Sequence, residues 1–185
     1  MGLSLSLLPY SLAMKRVRYF HGQLLSVDDF KTEQEYHSEK RRLHNRISLG
    51  VGVISGLHVT IESDGIHVSP GLAIDRQGNE IAVDFPQVLP LPQGPSTVQL
   101  VISYAETLTD PVPVGDVPGT EPSRIEEGFT LEYIDESTFD GGRHIALARL
   151  IFLNGQWTTA PGGSLWKIAS LLILTAVAVR WLRRR

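Results

Sequence analysis

Residues 165–182, reading LWKIASLLILTAVAVRWL and followed by Arg183, Arg184 and Arg185, constrain this chain more than any other stretch. Between Ile168 and Val179 there is no charge, and the only polar side chains are Ser170 and Thr175. Those two fall on different sides of a helix, so the segment lacks the polar face that a helix lying in the membrane plane requires. Spanning is the better reading. Leu165, Ile168, Leu171, Leu172, Ile173, Leu174, Val177, Val179 and Leu182 supply the apolar surface. Trp166 and Trp181 sit at the two ends, at headgroup level, and Lys167 and Arg180 can extend outward from them. Eighteen helical residues cover roughly 27 Å, enough for a thin bilayer.

Such an anchor holds weakly as a single copy. Its Leu, Ile and Val residues contribute about −3 kcal/mol on an insertion scale, and the flanking charges oppose that. Several copies on one rigid particle hold firmly through effective concentration. The N-terminus, residues 2–13, is apolar enough to suggest an export signal but does not fit the pattern of one: Lys15, Arg16 and Arg18 follow the apolar run, and Pro9 interrupts it. The expectation is therefore a tail-anchored protein with a cytoplasmic body. Its parts are an arm over residues 1–15, a body over 16–154, a Pro/Gly linker over 155–164 and the anchor over 165–185.

The net charge of −3 hides a basic tail, so the body is distinctly acidic and has no nucleic-acid footprint. The absence of cysteine removes disulfides and thiolate metal sites. Ser26, with Asp29 three residues on, opens a helix that runs to about Ser48, where Gly50 stops it. Its apolar content (Phe30, Tyr36, Leu43, Ile47) is too thin for a full stripe.

From Gly50 onward the period changes to two. Leu57, Val59 and Ile61 alternate with His58, Thr60 and Glu62, and Asp64-Gly65 signals a hairpin. Turning there sets Ile61 opposite Val68 and Glu62 opposite His67. Further strands are expected over 72–75, 81–83, 98–104, 129–134 and 145–153. The fold class is thus α+β: a mainly antiparallel β domain with a leading polar helix, plus the transmembrane helix. Two proline-rich stretches, 85–95 and 108–122, read as irregular loops.

Chemistry is hard to find. His37 and His44 are about 10 Å apart along the helix, too far to share an ion. His58 and His67 share a sheet face at non-adjacent rungs, and no His-Glu-x-x-His pattern exists. Asp28 and Asp29 belong to the helix start, and Asp64 and Asp75 to turns. Nucleophile elbows, P-loops and dinucleotide fingerprints are absent. The glycines of VGVISGL read as close passage of a strand past other backbone. No enzyme, metal or cofactor is expected.

The pattern Tyr19-Phe20-His21-Gly22-Gln23-Leu24-Leu25, continued by Asp28-Asp29-Phe30, Glu33-Gln34, Tyr36, Lys40-Arg41-Arg42-Leu43-His44-Asn45-Arg46 and Gly50-Val51-Gly52-Val53-Ile54-Ser55-Gly56-Leu57, carries a resemblance. Pro70-Gly71-Leu72-Ala73-Ile74-Asp75, Gly78-Asn79-Glu80-Ile81, Arg124-Ile125-Glu126-Glu127 and Leu147-Ala148-Arg149-Leu150 extend it. The chain resembles, over residues 16–153, a family of small proteins encoded with phage-tail-like contractile injection systems, notably those of cyanobacteria. The resemblance implies a structural, non-enzymatic part at or near a baseplate, present in several copies and bound to other baseplate subunits and to itself. With the anchor, which lies outside the matching region, it implies a part that docks a cytoplasmic particle onto lipid of a thylakoid or cytoplasmic membrane. Tyr36, Arg41, Arg42, His44 and Arg46 are the expected subunit contacts, the arginines pairing with acidic loops such as 121–127 of a neighbour. The competing reading is a membrane-tethered, tail-fibre-like module that recognises a glycan or receptor, with Trp157 and Tyr104 as its aromatic candidates.

Overall fold

The computed structural model describes residues 14–160, apart from 95, 116 and 117. The arm over 1–13 and the expected spanning helix lie outside the described residues. Among the described residues no helix is long and apolar enough to cross a membrane.

Helix α1 (Val27–Ser48) begins at a complete capping box. The Asp29 backbone N–H donates to Ser26 Oγ (3.2 Å), and the Ser26 N–H donates to Asp29 Oδ2 (2.8 Å). The Ser26 N–H, together with the Ser26 hydroxyl that also donates to Asp29 Oδ2 (2.8 Å), holds the Asp29 carboxyl below its ordinary range. Ten strands follow: β1 (Gly52–Gly56), β2 (Val59–Glu62), β3 (Gly65–Val68), β4 (Gly71–Ile74), β5 (Glu80–Val83), β6 (Gln87–Leu89), β7 (Thr97–Pro113), β8 (Thr120–Ile134), β9 (Ile145–Leu153) and β10 (Gln156–Thr159). They form three antiparallel sheets: β1-β4-β5, β2-β3-β6 and the four-stranded β10-β9-β7-β8.

The core lies where the inward faces of these sheets meet. Ile66 and Val68 of β3, Ala73 of β4, Ile81 and Val83 of β5, Leu100 and Ile102 of β7 and Leu150 of β9 are all buried in it. Each of the Ile, Val and Leu side chains among them stabilises the fold by about 1.5–3 kcal/mol on burial. Leu147 joins them as the extra residue of a bulge, because Leu100 pairs with Ala148 while Val101 pairs with Ala146. No buried hydrophobic residue comes from α1 or β8.

Three expectations are corrected. The β2–β3 hairpin turns at Ser63-Asp64, so Ile61 faces Ile66 and Thr60 faces His67. This is two residues tighter than expected, and the even shift keeps the apolar set on its face. The cause is Gly65, which is spent on close approach instead of on the turn: a Cβ there would lie 2.3 Å from the Leu89 carbonyl oxygen of β6. Second, residues 108–113 and 120–122 belong to no irregular loop but to the outer part of a β7–β8 ribbon, in which Leu108 pairs with Ile125 and Pro111 with Pro122. A two-stranded ribbon has free edges on both sides, where proline's missing N–H does little harm. Third, the body runs past 154. Gln156–Thr159 pair with β9, so Trp157 stands opposite Phe152 in a hairpin and not in a linker.

Candidate interaction surface

Most of the hydrogen bonds that hold helix α1 to the body go to one turn, residues 75–80, between β4 and β5. Asp75, itself buried, accepts from the Asn79 N–H (2.8 Å) and from Asn79 Nδ2 (2.7 Å), which fixes the turn. The helix then reads the fixed turn. Arg42 Nε donates to Asn79 Oδ1 (2.6 Å), and its Nη1 donates to Glu39 Oε1 (2.9 Å). Asn45, the one buried residue of α1, donates from Nδ2 to the Gly78 carbonyl (2.9 Å) and to Glu80 Oε1 (3.0 Å). The Arg46 guanidinium donates to the Gln77 carbonyl. At Gly78 the helix backbone comes so close that a Cβ would lie 2.2 Å from the Arg42 carbonyl oxygen.

The expected contact residues therefore divide. Arg42 and Arg46 are turned onto their own body. Arg41 is exposed and donates from Nη2 to Glu127 Oε1 of its own chain at 3.2 Å, so its acidic partner lies within the chain. Tyr36 is half-buried, with His37 edge-on at 5.4 Å and the Lys40 ammonium 5.8 Å above its ring. His44 is exposed. Asn45 was missed, although asparagine inside a helix is a poor helix former and is itself a signal that the side chain has other business.

The two aromatic candidates of the competing reading also part. Tyr104 packs against the core and donates its hydroxyl to Glu106 Oε1 (2.9 Å). Burial, reinforced by that bond, pushes its pKa above the ordinary tyrosine range, so the proton stays. Trp157, which also packs against the core, lines a cleft of about 470 Å³ with Ile61, Glu62, Leu91, Phe152 and Gln156, its ring 5.3 Å from that of Phe152. On the β2–β3 hairpin, His67 Nε2 lies 2.8 Å from Asp64 Oδ1 and 3.9 Å from Glu62 Oε2. The Asp64 hydrogen bond raises the His67 pKa and lowers that of Asp64. The arrangement is a hydrogen-bonded turn on an accessible hairpin.

No protein-family model matches this chain, and no curated protein matches it. Solved structures do, among them two baseplate assemblies. A chain of the baseplate complex from the type VI secretion system aligns over 93% of this chain and 70% of its own length, with a TM-score of 0.51 and 13% identity. A chain of the type VI secretion system TssK-TssF-TssG baseplate subcomplex, determined by cryo-electron microscopy, aligns over 80% of this chain and 60% of its own length, with a TM-score of 0.51 and 16% identity. At these identities the likeness establishes a common fold.

Proposed function

We propose that this chain is a structural, non-enzymatic subunit of a contractile injection system, attached at the baseplate and tethering the particle to a membrane through residues 165–182. The observation that carries the first part is the fold shared with chains of two baseplate assemblies, which extends over 93% of this chain in one of them. The layout of the body supports it. Its buried carboxylate, Asp75, is spent on holding Asn79, and its surface carries an exposed helix and ribbon. The second part rests on the composition of residues 165–182 alone. Its weakness as a single anchor suits a component repeated on a rigid particle. The partners are then other baseplate subunits and membrane lipid, and the body stays on the cytoplasmic side.

The test separates the two parts. A tagged full-length chain is expected to co-purify with contractile particles and to pellet with membranes. A chain lacking residues 165–185 is expected to stay on the particle while the particle leaves the membrane fraction. Particles that still pellet with membranes would remove the anchor, and a tagged chain never found on a particle would remove the baseplate assignment.

The cleft at Trp157 favours a second reading, glycan recognition. An aromatic pair beside Glu62 and Gln156 offers a stacking face and acceptors for vicinal hydroxyls. Glycan binding that Trp157→Ala abolishes, on a chain absent from particles, would favour this alternative.

A further inference from the structure

Beyond Ile102, β9 no longer pairs with β7, and β7 and β8 continue as a ribbon of two strands alone. From Glu106 to Pro113 and from Thr120 to Glu127 every residue except Thr109 and Ser123 is exposed, on both faces. The ribbon reaches about 26 Å at roughly 3.3 Å per residue. A free two-stranded hairpin is marginal in water. This one also leaves the facing pair Leu108 and Ile125 exposed at 66% and 61%. Glu106, Asp110, Glu121, Glu126 and Glu127, against Arg124, make it acidic.

The opposite character occurs in the segment that leads into α1. Between Met14 and Val27 there is no acidic residue, while Lys15, Arg16 and Arg18 accompany Tyr19, Phe20 and Leu24, the last 92% exposed. Val27 and Phe30, also exposed, continue this surface onto the first turns of α1. Phe30 lies about three helical turns from Arg41 and on the same face. Arg41 is the residue that already meets the ribbon, at Glu127. The helix face and the ribbon face thus match in both charge and apolar content, but the chain's own ribbon leaves Phe20, Leu24 and Phe30 uncovered.

We infer that the ribbon of one copy docks on the basic, aromatic strap and first turns of α1 of a second copy, giving a head-to-tail interface. Such an interface uses two different patches, so repetition closes it into a ring or continues it as an open chain. The inference does not rest on the baseplate reading. A chain that self-associates this way outside any contractile particle would pass here and fail there.

The absence of cysteine makes the test direct. Two full-length single-cysteine variants, Phe30→Cys and Ile125→Cys, both at exposed positions, are mixed in mild detergent and treated with a short bismaleimide. A species of twice 20.4 kDa is expected in the mixture, at least tenfold above either variant alone. Leu108→Asp in the Ile125→Cys chain is expected to reduce it about tenfold. Reversing Arg16 and Arg18 to Glu should do the same, with recovery when Glu121 and Glu126 of the partner become Lys. No enrichment in the mixture overturns the inference. So does a Phe30→Cys/Ile125→Cys double variant that cross-links within one chain, because the two patches would then close on themselves.

Discussion

Replacing Gly78 by Ala should detach the helix from the body. The new Cβ would lie 2.2 Å from the Arg42 carbonyl oxygen, more than 1 Å inside normal contact, and its neighbour is helix backbone that no side-chain rotation can relieve. The helix must retreat by about that distance, which stretches the Asn45 bond to the Gly78 carbonyl from 2.9 Å beyond useful range and strains the Arg42 bond to Asn79. Two lost bonds at about 0.5–1.5 kcal/mol each, with a polar group left buried, come to about 2–4 kcal/mol. The backbone at Gly78, with φ of +92°, adds about 1 kcal/mol for any L side chain. Gly155 separates these contributions. It has φ of +81° and nothing within 4 Å of its would-be Cβ, so Gly155→Ala carries the conformational cost alone. Urea titration should give about 3–5 kcal/mol for Gly78→Ala and about 1 kcal/mol for Gly155→Ala, and hydrogen exchange should show α1 losing protection in the first variant only. In thermal melts the first should fall by about 10 °C. Equal destabilisation of the two variants would refute the claim that this turn seats the helix.

The two neighbouring arginines should behave differently. Arg41→Glu disturbs an exposed pair and should change stability by less than about 1 kcal/mol, whereas Arg42→Glu breaks a half-buried anchor and should cost about 1–3 kcal/mol in the same titration. Equal effects would contradict the assignment of Arg42 to the helix seat. By NMR, His67 should titrate above 6.5 because of its Asp64 bond, and Asp64→Asn should return it toward that value. The sign follows: the stabilisation linked to His67 is complete below pH 6.5 and fades as pH rises through its folded pKa, and that linked to Asp64 fades as pH falls through its own lowered value. A native His67 titrating at or below 6.5 would contradict the geometry.

Local signals carried the local structure. Ser26 and Asp29 announce the helix start and form the capping box. Period-two alternation marks β2 and β7. Of the glycines of VGVISGL, Gly56 marks a real close approach, since a Cβ there would lie 2.0 Å from the Pro70 carbonyl oxygen, whereas a Cβ on Gly52 would meet nothing within 4 Å. What the sequence did not disclose depends on partners distant along the chain. The β2–β3 register is set by β6 passing Gly65, some twenty residues later. The prolines of the ribbon read as a loop because proline forbids a central strand, and only the tertiary arrangement reveals that this strand pair has open edges. Asn45 finds its acceptors on a turn more than thirty residues away. Of the expected contact residues, Arg42 and Arg46 were visible as charge but not as the seat of the helix.

The distribution of burial bears on what the two projecting elements are for. Ordering a residue costs about 1–2 kcal/mol in backbone entropy, and in the sandwich Ile66, Leu100, Leu150 and their neighbours offset that cost by burial. Neither the 22-residue helix nor the 15-residue β8 contributes a buried hydrophobic residue. Within one chain the helix is held by hydrogen bonds, a capping box and a few contacts at its base, and β8 by its ladder to β7 and by Phe129, Leu131 and Tyr133, which pack partly buried against the core. Phe30 and Ile125 both lie on faces that converge where Arg41 meets Glu127, and both remain in water. The helix and the outer ribbon present matched charge and apolar surface, and the proposed head-to-tail interface would supply further stabilisation by burying on a second copy what each leaves uncovered.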